Sequence, residues 1–451
     1  MDAEEALRFV NELLSQQGKR LTDLQRFVFL GTWVGKDYQT IHREHSDRCS
    51  LDHLKRNVAY QLWKLLSEVF DEKVSKSTLQ NCVHRALQKW QQPEAPLYSL
   101  PQPELLPTAP LYSVPQPEPR HSIEDWGDAP SATSFYGYAQ LLNSLNHVIR
   151  VNLCRLISLY GISGVGKTTI ALQLALQVRE QYEFVIWRSL QQAPLLADLL
   201  AELTYHLSHQ QERSVDLSHF MRYITEHRCL VILDGLEAVL NPGVHDGSYR
   251  AGYEAYGALL RQVGATAHES CLIITTQENP REIVEAEGNH GYVHSEVIKG
   301  LSVSGTKQLL MDKRCSGKDN QWREMTYRYW AHPFILSAIA TDIREFCKGD
   351  TALFLEQFKD PLALIPDSMR SRLEQQLERL SPAEHQIVSY LLTCEEPVSL
   401  SELQQATGQR MSAGELMNVL RSLKRRAFID TDEKCYFLQR LVMQYLQQSN
   451  P

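Results

Sequence analysis

The stretch Gly161-Ile162-Ser163-Gly164-Val165-Gly166-Lys167-Thr168 decides how this chain is read. It matches G-x-x-x-x-G-K-[ST] at every fixed position. An apolar run from Leu153 to Tyr160 precedes it, and Ile170, Leu172, Leu174 and Ala175 follow at helical spacing. Strand, glycine turn and helix, in that order, are the context of a phosphate-binding loop. The glycines let backbone N–H groups converge on phosphate oxygens with no Cβ in the way. The helix N-terminus adds its partial positive charge. Gly161, Gly164, Val165, Gly166, Lys167, Thr168 and Thr169 are therefore candidate nucleotide-binding residues. Lys167 is the cation for the β- and γ-phosphates, and the Thr168 hydroxyl is a ligand for Mg²⁺.

A phosphate loop of this type works with an acidic residue on a second strand. Cys229-Leu-Val-Ile-Leu-Asp234-Gly-Leu-Glu237 is an apolar strand ending in a carboxylate. Asp234 fits the role of holding Mg²⁺ together with Thr168. Glu237 either polarises an attacking water or is a helix N-terminal carboxylate favoured by the dipole. Cys271-Leu-Ile-Ile-Thr275-Thr276-Gln277 is a further apolar strand with a polar tip. Where such a strand lies between the other two, its tip faces the γ-phosphate, so Thr275, Thr276 and Gln277 are sensor candidates. Glu237, Asp234 and Gln277 are the catalytic candidates.

Strand-like runs (153–160, 184–187, 229–233, 271–275, 293–298) alternate with helical stretches at 167–181, 195–208, 216–227 and 252–263. That alternation predicts a parallel sheet wrapped by helices. The expected organisation has several parts. Residues 1–91 form a helical, helix-turn-helix-like domain. Residues 92–121 are a Pro-rich linker, residues 122–300 an α/β P-loop NTPase core, residues 301–367 a helical domain and residues 368–451 a winged helix. The linker holds nine of the nineteen prolines and a duplication, APLYSLPQPE at 95–104 and APLYSVPQPE at 109–118. Proline denies it helix and sheet. The winged helix is read from the stripe Leu416, Val419, Leu420 and Leu423, followed by two short strands around 428–430 and 436–438.

In the first domain, helices are expected from Ala6 to Leu14, from the cap Thr22-Asp23 through Phe29, from Asp37 to His45, and from the cap Ser50 to Val69. Gly31 and Gly35 are expected to punctuate the second. Lys55 and Arg56 fall early on the last helix, where a recognition helix meets DNA. The alternative is a protein-protein module whose Lys55, Arg56 and Lys64 form a solvated face. Residues 1–92 carry 14 Lys and Arg against 12 Asp and Glu, without the charge excess of a strong DNA footprint.

With 451 residues the chain exceeds a single ordinary core. A net charge of −8 excludes whole-surface, non-specific nucleic-acid binding. No apolar run reaches the ~18 residues of a membrane span. The acidic start MDAEEALRF lacks the marks of a signal peptide. Nine scattered cysteines without a CxxC pair fit reduced, buried thiols. A cytoplasmic location is expected.

Residues 122–447 resemble the bacterial NB-ARC ATPases of the STAND class. Phe135-Tyr136-Gly137 resembles the family's opening motif, and Phe184-Val-Ile-Trp187-Arg188-Ser189 its second strand. Gly252-Tyr-Glu-Ala-Tyr-Gly257 with Ser270-Cys271-Leu272 resembles a pattern of bacterial members. His332-Pro333 is similar to the end of a Gly-x-Pro motif, and residues 369–447 to the winged helix. The resemblance implies ATP or ADP with Mg²⁺ as ligands, Pro333 against the adenine, and Gln439 where the family has a histidine at the ADP β-phosphate. It implies a nucleotide-gated signalling switch, closed with ADP and homo-oligomeric with ATP, that exposes residues 1–91 to a protein partner. An ATP-dependent DNA-binding regulator is the alternative. Four positions depart from the family: Tyr138 and Gln277 replace arginines, Ala331 replaces the glycine, and Gln439 replaces the histidine. Slow ATPase activity at most is expected.

Overall fold

The computed structural model describes residues 6–7, 9–10, 21, 23–44, 58–70, 74, 76, 78–80 and 82–83. It then describes residues 122–449, apart from 132–134, 245–246, 289–290, 361–363, 395, 409–410 and 433–434. The linker at 92–121 lies outside the described residues, as do Ser50, Lys55 and Arg56. The chain divides into two compact units, Met1–Ser113 and Val114–Pro451.

In the first unit the described helices are Asp23–Trp33, Tyr38–Glu44 and Ala59–Phe70. Val28, Phe29, Ile41, Leu62 and Leu66 form its core with Ala6 and Val10. Gly31 does not break its helix, contrary to expectation. It is a packing position, because a Cβ there would lie 2.5 Å from Ile41 Cγ1. Gly35, at φ 82°, marks the turn that follows. The Asp37 carboxylate accepts from Thr40 N at 2.7 Å and starts the second helix. Lys64 is exposed.

The second unit is built on a six-stranded, all-parallel sheet. Its strands are β1 (Ile123–Asp125), β2 (Leu156–Tyr160), β3 (Phe184–Ser189), β4 (Cys229–Asp234), β5 (Cys271–Thr276) and β6 (Val293–Val297). The spatial order is β1-β3-β4-β5-β2-β6. Strand β5 thus separates the strand that leads into the phosphate loop from the strand that ends in Asp234. Register pairs Asp234 with Thr275, and Tyr160 with Thr276, so the polar tips converge.

Alternate residues serve opposite faces. Ile157, Leu159, Trp187, Ile232 and Ile273 pack with helices Ala139–Arg150 and Lys167–Val178. Leu156, Ile186, Val231, Leu233, Leu272 and Ile274 pack with helices Leu196–Leu207, Leu217–Glu226 and Ala255–Ala265.

Beyond the sheet come helices Val303–Asp312, Asp319–Arg328, Pro333–Phe346 and Thr351–Gln357. Helices Asp367–Glu378, Pro382–Thr393, Leu400–Thr407, Ala413–Arg425 and Arg440–Ser449 follow. A small antiparallel sheet joins this last group, formed by β7 (Val398–Ser399), β8 (Ile429–Asp432) and β9 (Cys435–Leu438), with β9 in the middle. One hydrophobic core runs without interruption from Tyr138 through the phosphate-loop helix and Ile335 to Tyr445. The helical and C-terminal segments are therefore fused to one face of the sheet instead of having cores of their own.

Candidate functional site

The glycines of the loop adopt backbone that side chains resist. Gly164 and Gly166 lie at φ 78° and 106°. A Cβ on Gly164 would also sit 2.9 Å from the His332 ring. Helix Lys167–Val178 starts directly behind, and Lys167 is buried at its first position. Its Nζ donates to Gly161 O (2.9 Å) and Ile162 O (3.1 Å). Burial lowers its pKa, against the opposing pull of Glu237 and Asp234.

The three strand tips meet as their register requires. Thr168 Oγ1 donates to Asp234 Oδ1 at 2.8 Å, and Thr275 Oγ1 donates to the same oxygen at 2.5 Å. Gly235 N donates to Thr275 Oγ1. A hydroxyl and a carboxylate at this separation form a hard-oxygen donor set of the kind Mg²⁺ takes. Glu237 stands on the short turn Leu236–Val239 and accepts from Gln277 N at 3.2 Å. Both residues line one cavity of about 550 Å³ with Gly164, Gly166, Lys167, Thr168, Thr169 and Asp234.

A second cavity, of about 600 Å³, shares Gly166 and Thr169 with the first. Phe135, Tyr136, Leu301 and Pro333 give it an apolar, partly aromatic lining suited to a planar base. Val165 is buried beneath the loop, and Gly161 approaches Ile298 O closely.

Two of the departures are now accounted for. Tyr138 is buried with its hydroxyl 2.8 Å from Val165 O and 3.0 Å from Lys299 O, so it braces the loop from behind. Ala331 keeps the left-handed backbone glycine would allow, at φ 56°, which costs about 1–2 kcal/mol for a residue with a Cβ.

Gln439 requires a correction. It does not line the phosphate cavity. Its amide oxygen accepts from Leu441 N (2.9 Å) and Val442 N (3.2 Å), capping the last helix. Its side chain borders a separate cavity of about 280 Å³ behind Ile162 and Val165. The first-turn N–H groups of the helix need an acceptor, and the neighbouring Gln satisfies them. Helix Asp367–Glu378 takes the place assigned to Gln439. Arg372 and Gln375 line the phosphate cavity, and Gln376 Oε1 accepts from Ser163 N at 3.1 Å. Sequence reading missed all three, because polar residues on an amphipathic helix read as a solvated face.

His332 was legible only as the residue before Pro333. Its Nε2 lies 3.0 Å from Ser163 O and its Nδ1 accepts from Ile335 N, which fixes a neutral tautomer with the proton on Nε2. Burial pushes its pKa down to about 4, and Lys167 and Arg372 add to the shift. The unfolded chain therefore takes up this proton first as pH falls. The contribution of His332 is complete above pH 6.5 and is lost as pH falls toward 4, by about 1.4 kcal/mol per pH unit. Urea unfolding of wild type and His332→Asn between pH 7 and 4.5 should show a shallower pH slope for the variant. Identical slopes would mean that His332 does not titrate in this way.

The fold and this loop define a P-loop NTPase core of the type with a strand inserted between its two phosphate-site strands. Residues 139–238 match the NB-ARC domain, and residues 1–86 match the N-terminal HTH of vWA-MoxR associated proteins. The chain thus carries an NB-ARC domain within its P-loop unit and a helix-turn-helix domain before it. It is similar to an uncharacterized WD repeat-containing protein of Nostoc sp., with 36 % identity over 341 residues. The match takes in 72 % of this chain but 27 % of that protein, so the chain spans about a quarter of the length of this relative. Among solved structures, the Walker-type ATPase of Pyrococcus abyssi is 15 % identical, with a TM-score of 0.48 over 69 % of this chain and 96 % of that one. A STAND protein with a tetratricopeptide repeat sensor from Pyrococcus horikoshii is 18 % identical, with a TM-score of 0.34 over 72 % and 44 %. No helix among the described residues is long and apolar enough to cross a membrane.

Proposed function

We propose that this chain is a nucleotide-gated signalling switch. ATP or ADP occupies the two joined cavities, its base against Pro333 and its phosphates on the loop 161–169, with Mg²⁺ at Thr168 and Asp234. One observation carries the reading. The phosphate cavity is walled both by the loop and by helix Asp367–Glu378, which belongs to the C-terminal segment. A ligand that fills the cavity differently as di- or triphosphate will bind the docked and undocked arrangements with different affinity, which is the condition for shifting their populations.

The C-terminal segment 368–451, with its helices and hairpin, is read as the winged-helix lever. Its movement presents residues 1–91 to a protein partner or to a second copy of the chain. Hydrolysis is slow, because Gln277 offers a neutral group where a permanently charged guanidinium would oppose developing phosphoryl charge. Glu237, held by Gln277 N, is the group that orients water.

The match of residues 1–86 to a helix-turn-helix family supports a second reading, a DNA-binding regulator in the same cytoplasmic setting. A salt titration of duplex binding separates the two. The switch itself is tested by mass identification of the nucleotide that co-purifies, followed by sizing in ADP and in a slowly hydrolysed ATP analogue. Bound adenine nucleotide and a larger species with the triphosphate are expected. Absence of nucleotide and one size throughout would refute the reading.

A further inference from the structure

The phosphate cavity contains a cation that does not come from the phosphate loop. Arg372 lines it beside Lys167, Asp234, Glu237 and Gln277, and does not line the base cavity. Its guanidinium stands 4.9 Å from the centre of the Phe334 ring, and Phe334 lines the same cavity against Gly164. No ion pair among the described residues includes Arg372. It is close enough to Lys167 and to His332 to disfavour the protonated form of each. Glu237 and Asp234 already offset that repulsion at Lys167, which leaves the Arg372 guanidinium as the cation available to an anion entering the cavity.

The placement of Arg372 is determined by its helix. Residues 372, 375, 376 and 379 recur at helical spacing and share one face. Gln375 lines the cavity, and Gln376 Oε1 accepts from Ser163 N in the loop. Arg379 Nη2 donates to Glu237 O and Leu240 O, just beyond the Asp234 strand. The face is thus anchored on both phosphate-site elements, with Arg372 one turn before Gln376. The guanidinium is planar, always charged and suited to two parallel bonds with a phosphate.

We propose that Arg372 is the specificity-determining residue that distinguishes a nucleoside triphosphate from a diphosphate, supplying from the C-terminal segment the cation that Gln277 does not. The phosphates common to ADP and ATP are served by the loop amides and Lys167. The additional charge of the triphosphate is what a second cation can favour. Binding through Arg372 also draws helix Asp367–Glu378 toward the loop, so recognition and docking become one event. This inference rests on the nucleotide-switch reading.

The test measures affinity for ATP and ADP by calorimetry in EDTA, with the full chain, for wild type, Arg372→Gln, Arg372→Lys and the double variant Arg372→Gln/Gln277→Arg. Hydrogen exchange of residues 367–379 with and without ATP is the second readout. Loss of one charge-assisted contact predicts that Arg372→Gln weakens ATP by about 10-fold or more and ADP by less than about 3-fold. Arg372→Lys should recover part of the ATP affinity. The double variant should recover ATP affinity but not the ATP-induced protection of 367–379, because its cation sits on the sheet. If Arg372→Gln weakens ATP and ADP equally, or neither, the proposal fails while the switch reading stands. If wild type binds neither nucleotide, the underlying reading fails instead.

Discussion

Arg426→Ala should destabilise the second unit by about 3–5 kcal/mol. Arg426 is 3 % exposed and follows helix Ala413–Arg425 in the C-terminal segment. Its Nη1 lies 2.9 Å from Glu278 Oε2, its Nε donates to Glu384 Oε1 at 3.1 Å, and its Nη2 donates to Val244 O at 2.9 Å. Glu384 is fully buried and also accepts from Ser422 Oγ and Ser381 N. The Glu278 contact has ion-pair distance without hydrogen-bond alignment, so that carboxylate is held by charge more than by a directed bond. Burial raises the pKa of Glu278, and Arg426 is the strongest influence in the other direction.

Removing the guanidinium leaves two buried carboxylates without their cation, and that loss accounts for the size of the effect. Glu278 follows Gln277 directly, so the ion pair ties the C-terminal segment to the tip of β5. Denaturant unfolding should show the loss. Faster proteolysis after residue 367 should show that the segment undocks. Replacing all three charges together, as Arg426→Met/Glu278→Gln/Glu384→Gln, should recover most of the stability, since no charge is then stranded. A loss below about 1 kcal/mol for Arg426→Ala would mean that water reaches the cluster and the ion pair does not hold the segment.

Lys167→Ala should weaken ATP and ADP alike, by about 10-fold or more, because a charge-assisted hydrogen bond contributes ~1.5–3 kcal/mol. Lys167 is the cation of the loop itself and is buried against Gly161 O and Ile162 O. Folding should change little. The substitution removes a buried charge that burial already disfavours, and Ile162 O keeps the hydrogen bond from Val165 N. Calorimetry with both nucleotides measures the loss, and a thermal melt checks the fold. Unchanged affinity would remove Lys167 from the phosphate site. A variant that keeps ADP affinity and loses only ATP would assign it the role proposed for Arg372.

Much of the core was legible because its signals are local. The strands at 156–160, 184–189, 229–234 and 271–276 are apolar runs, and each was expected close to where it lies. β1 was missed. It is three residues long, Ile123–Asp125, and two of the three are exposed, so it has no pattern to read. Helix Arg281–Ala286 was missed for a similar reason, being a single short turn and a half. Gly31 looked like a helix end, because a helix tolerates glycine poorly unless a neighbour needs the space, and Ile41 supplies that need only after folding.

The sequence by itself determined the phosphate loop, its helix, the Asp234 strand and the presence of a sensor strand. These depend on residues within about ten positions of one another, where glycine geometry, helix start and apolar run are covalently linked. Tertiary structure alone decided what closes the cavity. Ser163 and Gln376 are 213 residues apart, and Arg379 meets Glu237 O across 142. No spacing rule spans such distances. Gln439 shows the same limit from the other side. Likeness to a family placed it at the phosphate, but the first-turn N–H groups of the last helix lie nearer and take its amide oxygen. A polar side chain bonds with the groups that packing brings within reach, and packing is set by the apolar core that joins Tyr138 to Tyr445.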